Sequence, residues 1–500
     1  MAAITPREIT RRLPTPPVDA DETFDVVGKN NSLASVTAAV ADVVLRDRLR
    51  PGWVLFLLFS LFLLGILGVS VGYLFVMGVG IWGINNAADW GFDIINFVWW
   101  IGIGHAGTLI SAILLLLHQN WRTSINRFAE AMTIFAVFCA GLFVLSHLGR
   151  HQYAYWLFPL PNSMGMWPNF RSPLEWDVFA VTTYATVSIL FWYVGLIPDL
   201  GTLRDRAVRP LVKRLYGMAS LGWRGSNQHW HRYMAVYLIL AGISTPLVLS
   251  VHSTISFDFA FSQNPGWHTT IFPPYFVSGA LVGGFAMVLI LAIPMRQIFK
   301  LKEFITMRHL ENCAKIILAT SIFVCYGYFM ELWTAYYSGD IYERFMTVNR
   351  LFGPYGWSYW ALLTCNLLWP QVFWFRKMRT NLVMLYVVSI MVSIGMWLER
   401  FVIIVVPMTR TFLPSSWHEY TPTGWDWAQY IGTFGLFLTC FLLFARMLPV
   451  IAMAEMRELV HHEAHHGDAD HGSGGHAHGG EGGEPNAGFS GSDPSVAAAR

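Results

Sequence analysis

Residues 52 to 79 read GWVLFLLFSLFLLGILGVSVGYLFVMGV without one charged side chain. A run of about 20 apolar residues is long enough to cross a bilayer as a helix. Nine further runs of this kind cover 95 to 117, 129 to 148, 177 to 197, 233 to 253, 275 to 296, 313 to 337, 357 to 375, 381 to 405 and 427 to 449. Lipid offers backbone groups no hydrogen bonds, so such segments are satisfied only as helices. The expected fold class is an all-α integral membrane protein with ten transmembrane helices. Composition agrees, with 54% apolar, 15% aromatic and only 13% charged residues.

Basic residues fix the orientation, because positive connections stay cytoplasmic. The N-terminal segment, every second connection and the C-terminal tail hold 27 of the 33 Lys and Arg, against 6 in the alternate connections. Both termini are therefore expected in the cytoplasm. A net charge of +2 gives no support to nucleic acid as a partner. The five cysteines form no CxxC or CxxCH, which argues against an iron-sulfur cluster or c-type haem held by this chain, and against a disulfide framework. The first fifty residues lack the apolar core of a cleavable signal peptide. The chain divides into a cytoplasmic segment 1–50, a membrane domain 51–455 and a Gly- and His-rich tail 456–500. That tail is expected to be disordered; its histidines suit either loose metal chelation or plain solvation. Gly68 with Gly72, and Gly279 with Gly283, have the spacing of close helix contacts.

Ionisable groups at membrane depth are costly, about 2.5 to 3.5 kcal/mol each on insertion scales, and so mark function. His147 ends span three in the stretch SHLGRHQ, with Arg150 and His151 within about one helical turn. Asp177 begins span four, and His252 and Asp258 lie at or just beyond the end of span five, so topology gathers them on the outer face. In RSPLEWD, Ser172, Pro173 and Glu175 read as a capping box with proline at the first helical position. An ionised Asp177 beside His147 would orient the imidazole as a proton acceptor. The same residues also admit plainer duties, a loop hydrogen bond for the histidine and a cap for the aspartate. The aromatic, nearly uncharged outer loops at 156–176 and 256–276 suit a partner surface or the roof of a pocket. A second set, His105, Glu130, Glu331, Glu399 and Arg400, fits a proton path, although Glu399 and Arg400 also suit mutual neutralisation. Residues 95–253 and 275–405 each begin outside, as two repeated halves would.

The ten spans, SHLGR, EWD, GWHTTIFPPYFVSGALVGGFAMV at 266–288 and SWHEYTPTGWDW at 416–427 resemble the polysulfide-reductase (NrfD-like) membrane-subunit family over roughly residues 50 to 455. Within it, the chain is most similar to the branch that supplies the C subunit of bacterial alternative complex III. The resemblance implies two four-helix bundles with a flanking helix at each end, in a bacterial inner membrane. It implies quinol oxidation near the periplasmic face, with menaquinone favoured, and no redox centre on this chain. The partners implied are an extrinsic iron-sulfur subunit, a multihaem cytochrome c subunit and other membrane subunits, including a homologous NrfD-like chain. The family's quinol-site histidine and aspartate fall on His147 and Asp177, and a further acid falls on Asp258. Residue chemistry fits: quinol surrenders two protons, His147 held by Asp177 takes one, and Asp258 or His252 relays the other. Two other readings remain open here. One is a haem-b carrier ligated by His147 and His252; the other is a secondary transporter.

Overall fold

The computed structural model describes residues 26–28, 31–46, 49–157 and 171–461. Trp167, the centre of the first aromatic outer loop and the histidine-rich tail from residue 462 onward lie outside the described residues. Among the described residues there is no strand, and nine helices are long and apolar enough to cross a membrane.

The helices in chain order are α1 Leu33–Leu45, α2 Pro51–Met77, α3 Phe92–Leu116, α4 Asn126–Ser146, α5 Pro173–Arg206, α6 Pro210–Ala219, α7 Asn227–Ala260, α8 Phe272–Ile298, α9 Met307–Tyr337, α10 Ile341–Phe352, α11 Gly356–Leu363, α12 Trp369–Gln371, α13 Arg376–Arg379, α14 Leu382–Thr409 and α15 Gly424–Met447. The expected span at 357–375 is the exception: α11 passes into a π-helical turn at Thr364–Leu368 before α12. Pro370 lies just beyond that turn; lacking an N–H and clashing with the preceding turn, it breaks the regular ladder. This stretch is therefore helical throughout 356–374 but of mixed pitch, which sets it apart from the nine long α-helices.

Helix ends follow local chemistry. Proline occupies the first turns of α2, α5 and α8, where its missing N–H costs nothing. Gly78, at φ +78°, closes α2 by donating to the Leu74 carbonyl at 2.7 Å. Thr423 and Asp426 form a reciprocal capping box on α15. At α5 the helix starts at Pro173 as expected, but the capping box does not form. Ser172 makes no side-chain cap bond, and Glu175 is instead buried with Oε1 unpartnered.

Helices α3, α4, α5 and α7 pack as one group of four; α8, α9, the α11–α13 stretch and α14 form the other. The groups meet where α3 and α7 lie on α8. At that seam a Cβ on Gly284 would come within 2.2 Å of the Ala106 Cβ, so only glycine permits the approach. Outside both groups, α2 pairs with α15. The glycines at this contact belong to α15: Gly432 and Gly435 receive Leu67, Leu63 and Leu64. Gly68 and Gly72 face open space, contrary to the expectation of helix contacts, whereas Gly279 and Gly283 do lie against Met396.

One face of the molecule carries the loops around 78–91, 261–271, 338–355 and 410–423, and is called the loop-rich face below. The opposite, basic face holds 117–125, 207–226, 299–306 and 376–381. Residues 453–461, expected largely within the tail, continue as helix, with Met456, Leu459 and Val460 buried. Their i, i+3, i+4 apolar spacing gives this stretch a face to pack. Glu455 there pairs with Arg122 at 2.7 Å, and the Ala454 N–H donates to Asp199 at 3.0 Å.

Candidate functional site

Asp177 is the fifth residue of α5, and Asp258 lies two residues before the end of α7. Packing of α5 on α7 brings their carboxyls into hydrogen-bond contact. Two carboxyl groups can bond only if one carries the proton. Each also keeps a buried Oδ1 with no partner. The aromatic ring of Trp176 meets Phe257 and Phe261 edge-on at 6.4 and 6.0 Å, giving the pair an apolar flank.

His147 is not Asp177's partner, as the sequence suggested. It caps the end of α4, with Nδ1 2.9 Å from the Phe143 carbonyl. The acid within electrostatic reach of it is Asp93, buried in the first turn of α3. Asp93 takes a hydrogen bond from the Gly91 N–H at 3.0 Å. Its surroundings are fixed by the motif at 416–427: the Tyr420 hydroxyl accepts from Phe92 N–H at 3.2 Å and donates to Asp426 at 3.1 Å. Asp426 also takes the Gly83 N–H at 3.0 Å. Sequence reasoning missed Asp93, because an acid in a first helical turn is ordinarily only a dipole partner. Arg150 is exposed, while His151 is tied to the Ser146 carbonyl at 2.7 Å and packs on Phe75 at 4.6 Å.

His252 is displaced from its expected position. Helix α7 runs to Ala260, which leaves His252 eight residues inside it and fully buried. Its ring lies 4.5 Å from that of His105, at the middle of α3. Neither nitrogen of His252 has a well-formed hydrogen bond, although the Phe276 backbone lies within reach. His105 faces a carbonyl from each nitrogen, Ile101 at 2.9 Å and Val248 at 2.6 Å. A neutral ring donates to one of them, a protonated ring to both. Asp93 and His105 are about 18 Å apart along α3, so His147 and His252 stand at different depths and do not present one haem iron with two axial nitrogens.

Glu130 lies near the basic face as expected, within a buried cluster that the sequence did not reveal. Arg127 binds Glu130 at 3.2 Å, Asp199 at 3.4 Å and the Gly195 carbonyl at 2.7 Å. The Tyr237 hydroxyl donates to Glu130 at 3.2 Å. In the second group Glu399 pairs with Arg400 and accepts from Tyr328, while Asn366 of the π turn donates to the Tyr328 oxygen at 2.9 Å. Glu331 pairs with Arg350 of α10 at 2.5 Å.

Two cavities flank these groups. One of about 540 Å³ opens on the loop-rich face, lined by Tyr328, Glu331, Glu343, Arg350 and the 263–270 loop. That loop therefore roofs a pocket, though over the second group of helices. Gly266, at φ +84°, donates its N–H to Glu343 at 3.0 Å, and its carbonyl accepts from Arg350 at 2.9 Å. Burial pushes the Glu343 carboxyl above its ordinary range, against the Gly266 bond that lowers it. The other cavity, about 240 Å³, lies at the basic face against Arg122, Tyr237 and Glu455. Among the described residues no three His, Cys, Asp or Glu side chains converge as a metal site.

The sequence matches the family described as polysulphide reductase, NrfD, over residues 81–410. It is 27% identical over 241 residues to a protein of Halobacterium salinarum named as the membrane C subunit of a putative dimethyl sulfoxide reductase, covering 46% of this chain and 51% of that protein. This chain thus spans about half the length of that relative. It is 21% identical over 402 residues to the C subunit of selenate reductase from Mesobacillus selenatarsenatis, covering 75% of this chain and 88% of the relative. The family match takes in α3 through α14, and with them Asp93, His105, His147, Asp177, His252, Asp258, Glu331 and Glu399; this membrane protein belongs to the polysulphide reductase NrfD family.

Proposed function

We propose that this chain is the quinol-oxidising membrane subunit of an electron-transfer complex, with its site between the loop-rich ends of α4, α5 and α7. The observation that carries the reading is the Asp177–Asp258 pair: two carboxyls lie in contact, as one shared proton would allow, and each keeps a buried oxygen without a partner. Such oxygens are acceptors for the hydroxyls of a quinol, and the Trp176, Phe257 and Phe261 rings suit an apolar quinone ring and isoprenoid tail. His147, at the neighbouring end of α4, is the acceptor for the second proton.

Both relatives are membrane or C subunits of proteins named as reductases, which supports a place beside redox partners. Quinol supplies two electrons here; the chain's own residues bind it and take its protons, and an extrinsic iron-sulfur subunit receives the electrons. The alternative complex III assignment, menaquinol as substrate, a multihaem cytochrome c, a second NrfD-like chain and a bacterial inner membrane with cytoplasmic termini belong to the same proposal. The test is quinol turnover by the assembled complex with Asp177→Asn, expected to fall more than tenfold. Near-native turnover in a properly assembled complex removes Asp177 from the mechanism.

A further inference from the structure

We propose that the smaller cavity, at the basic face, binds the headgroup of a phospholipid that carries both a phosphate and a primary ammonium, as phosphatidylethanolamine does. It is separate from the quinol site and uses none of that site's residues. Three elements build it: the connection after α3, the first turns of α7 and the helical stretch 453–461. Tyr233 lines it from α7 and is 6% exposed, yet its hydroxyl has no partner. The ring is held by its neighbours, stacked on Tyr237 at 5.4 Å and edge-on to Trp230 at 5.7 Å. Arg122, also 6% exposed, lines the same cavity. Its Nη2 binds Glu455 at 2.7 Å, while Nη1, toward the Tyr237 hydroxyl, makes no well-formed bond. Buried polar groups are normally partnered. Two buried donors on one cavity therefore point to an acceptor, and a phosphate ester presents several oxygens.

A plain anion does not suit the cavity, because two carboxylates share it. Glu455 and Glu458 both line it and, three residues apart on a helix, stand on one face. The Asn126 amide donates to Glu455 at 3.2 Å, and Glu458 is exposed. One guanidinium against two carboxylates leaves an excess of negative charge, whereas pockets for anionic headgroups are basic. A ligand with a cation next to its phosphate satisfies both signs. That cation must carry N–H groups, since a carboxylate accepts hydrogen bonds and a quaternary ammonium has none to give.

Size and level agree. About 240 Å³ holds roughly eight water-sized groups at about 30 Å³ each, close to the count of non-hydrogen atoms in ethanolamine phosphate. It is below the roughly 300 Å³ at which pockets for whole small molecules begin. Trp230 and Met234, 37% and 39% exposed, form the outer rim at the start of the apolar part of α7. Tryptophan at that level marks the membrane–water interface, where phospholipid headgroups lie. Met234 and Leu238, four residues apart and both exposed, continue from the rim as an apolar track for acyl chains.

The experiment uses the assembled complex, stripped of lipid in detergent, with bound molecules counted by native mass spectrometry. The probes are dioctanoyl phosphatidylethanolamine, phosphatidylglycerol and phosphatidylcholine, with free ethanolamine phosphate as a soluble source of the same chemistry. The tightest site is expected to take the ethanolamine lipid roughly tenfold or more above the other two lipids and the free ester. Tyr233→Phe removes a hydroxyl that no protein group uses, so a purely structural tyrosine would lose nothing. It is expected to weaken that site by roughly fivefold or more, with the unfolding midpoint of the lipid-free complex unchanged. Glu458→Gln is expected to abolish the preference over phosphatidylcholine. Equal affinities for the three lipids, a preference for phosphatidylglycerol, native affinity in Tyr233→Phe or an undiminished preference in Glu458→Gln overturns the proposal. Free ester that binds as tightly as the lipid overturns the lipid source and makes a soluble phosphate ester the occupant.

Discussion

Replacing Arg127 with methionine probes the buried cluster at the basic face. The guanidinium is fully buried, and its partners Glu130 and Asp199 are 3% and 0% exposed, so no water can take its place. Arg127→Met strands two carboxylates and the Gly195 carbonyl that it now holds at 2.7 Å. Breaking a buried ion pair from one side costs about 3 to 5 kcal/mol. That lowers the ratio of folded to unfolded chain by roughly 100- to 4,000-fold. Removing the stranded charges as well, with Glu130→Gln and Asp199→Asn, is expected to restore most of the loss, because an apolar or neutral replacement of a buried pair is close to neutral. Gly195→Ala provides an independent route to the same damage, since its Cβ would come within 2.4 Å of Arg127 Nη1. Thermal unfolding of the detergent-solubilised complex, followed by tryptophan fluorescence, reports all three. An unshifted midpoint in Arg127→Met, or a triple variant no more stable than the single one, refutes the reasoning.

Three further outcomes are expected. Gly284→Ala forces α3 from α8 and is expected to cost about 1 to 3 kcal/mol, read as a lowered unfolding midpoint; an unchanged midpoint would mean that the seam can yield. If Asp177 and Asp258 act as one proton-sharing unit, Asp177→Asn and Asp258→Asn each slow quinol oxidation, and the double variant is little slower than the worse single one; effects that multiply would show separate roles. Glu343, whose carboxyl burial raises above its ordinary 4.5, binds its proton more tightly folded than unfolded. Its stabilising share is therefore complete below about 4.5 and is lost as pH rises through the raised folded value. Glu343→Gln should flatten that decline in a pH series of unfolding midpoints, and an unchanged slope would exclude Glu343 as its source.

Hydropathy is a local property, so the long spans and the face to which Asp177 and Asp258 belong can be read directly. Partner choice is not local. Asp258 rather than His147 meets Asp177 because α5 packs on α7, and nothing in RSPLEWD records that contact. The depth of His252 escapes hydropathy because the apolar stretch fades near residue 253 while the helix continues through Ser253, Thr254 and Ser256 to Ala260. Hydroxyls bonded back to carbonyls a turn earlier, such as Ser253 to Leu249 at 2.8 Å and Thr254 to Ser250 at 2.9 Å, let such residues remain helical. The change of pitch at 364–368 is in view as Pro370, but an apolar average conceals a single missing N–H. Asp426 is visible only as part of a motif; its work of fastening the 81–92 segment to the start of α15 depends on residues more than 300 positions away.

The pairing of α2 with α15 has a consequence for biosynthesis. Helix α2 is made before every other spanning helix described, whereas the notch at Gly432 and Gly435 that receives it is translated about 360 residues later. At roughly 5 to 20 residues per second, α2 waits on the order of 20 to 70 s in the bilayer with lipid as its neighbour. Its all-round apolar surface, with mean hydropathy 2.8 against 1.6 for α3, suits that interval: the earliest of the described spanning helices needs no companion to remain in the membrane, and the latest of them collects it.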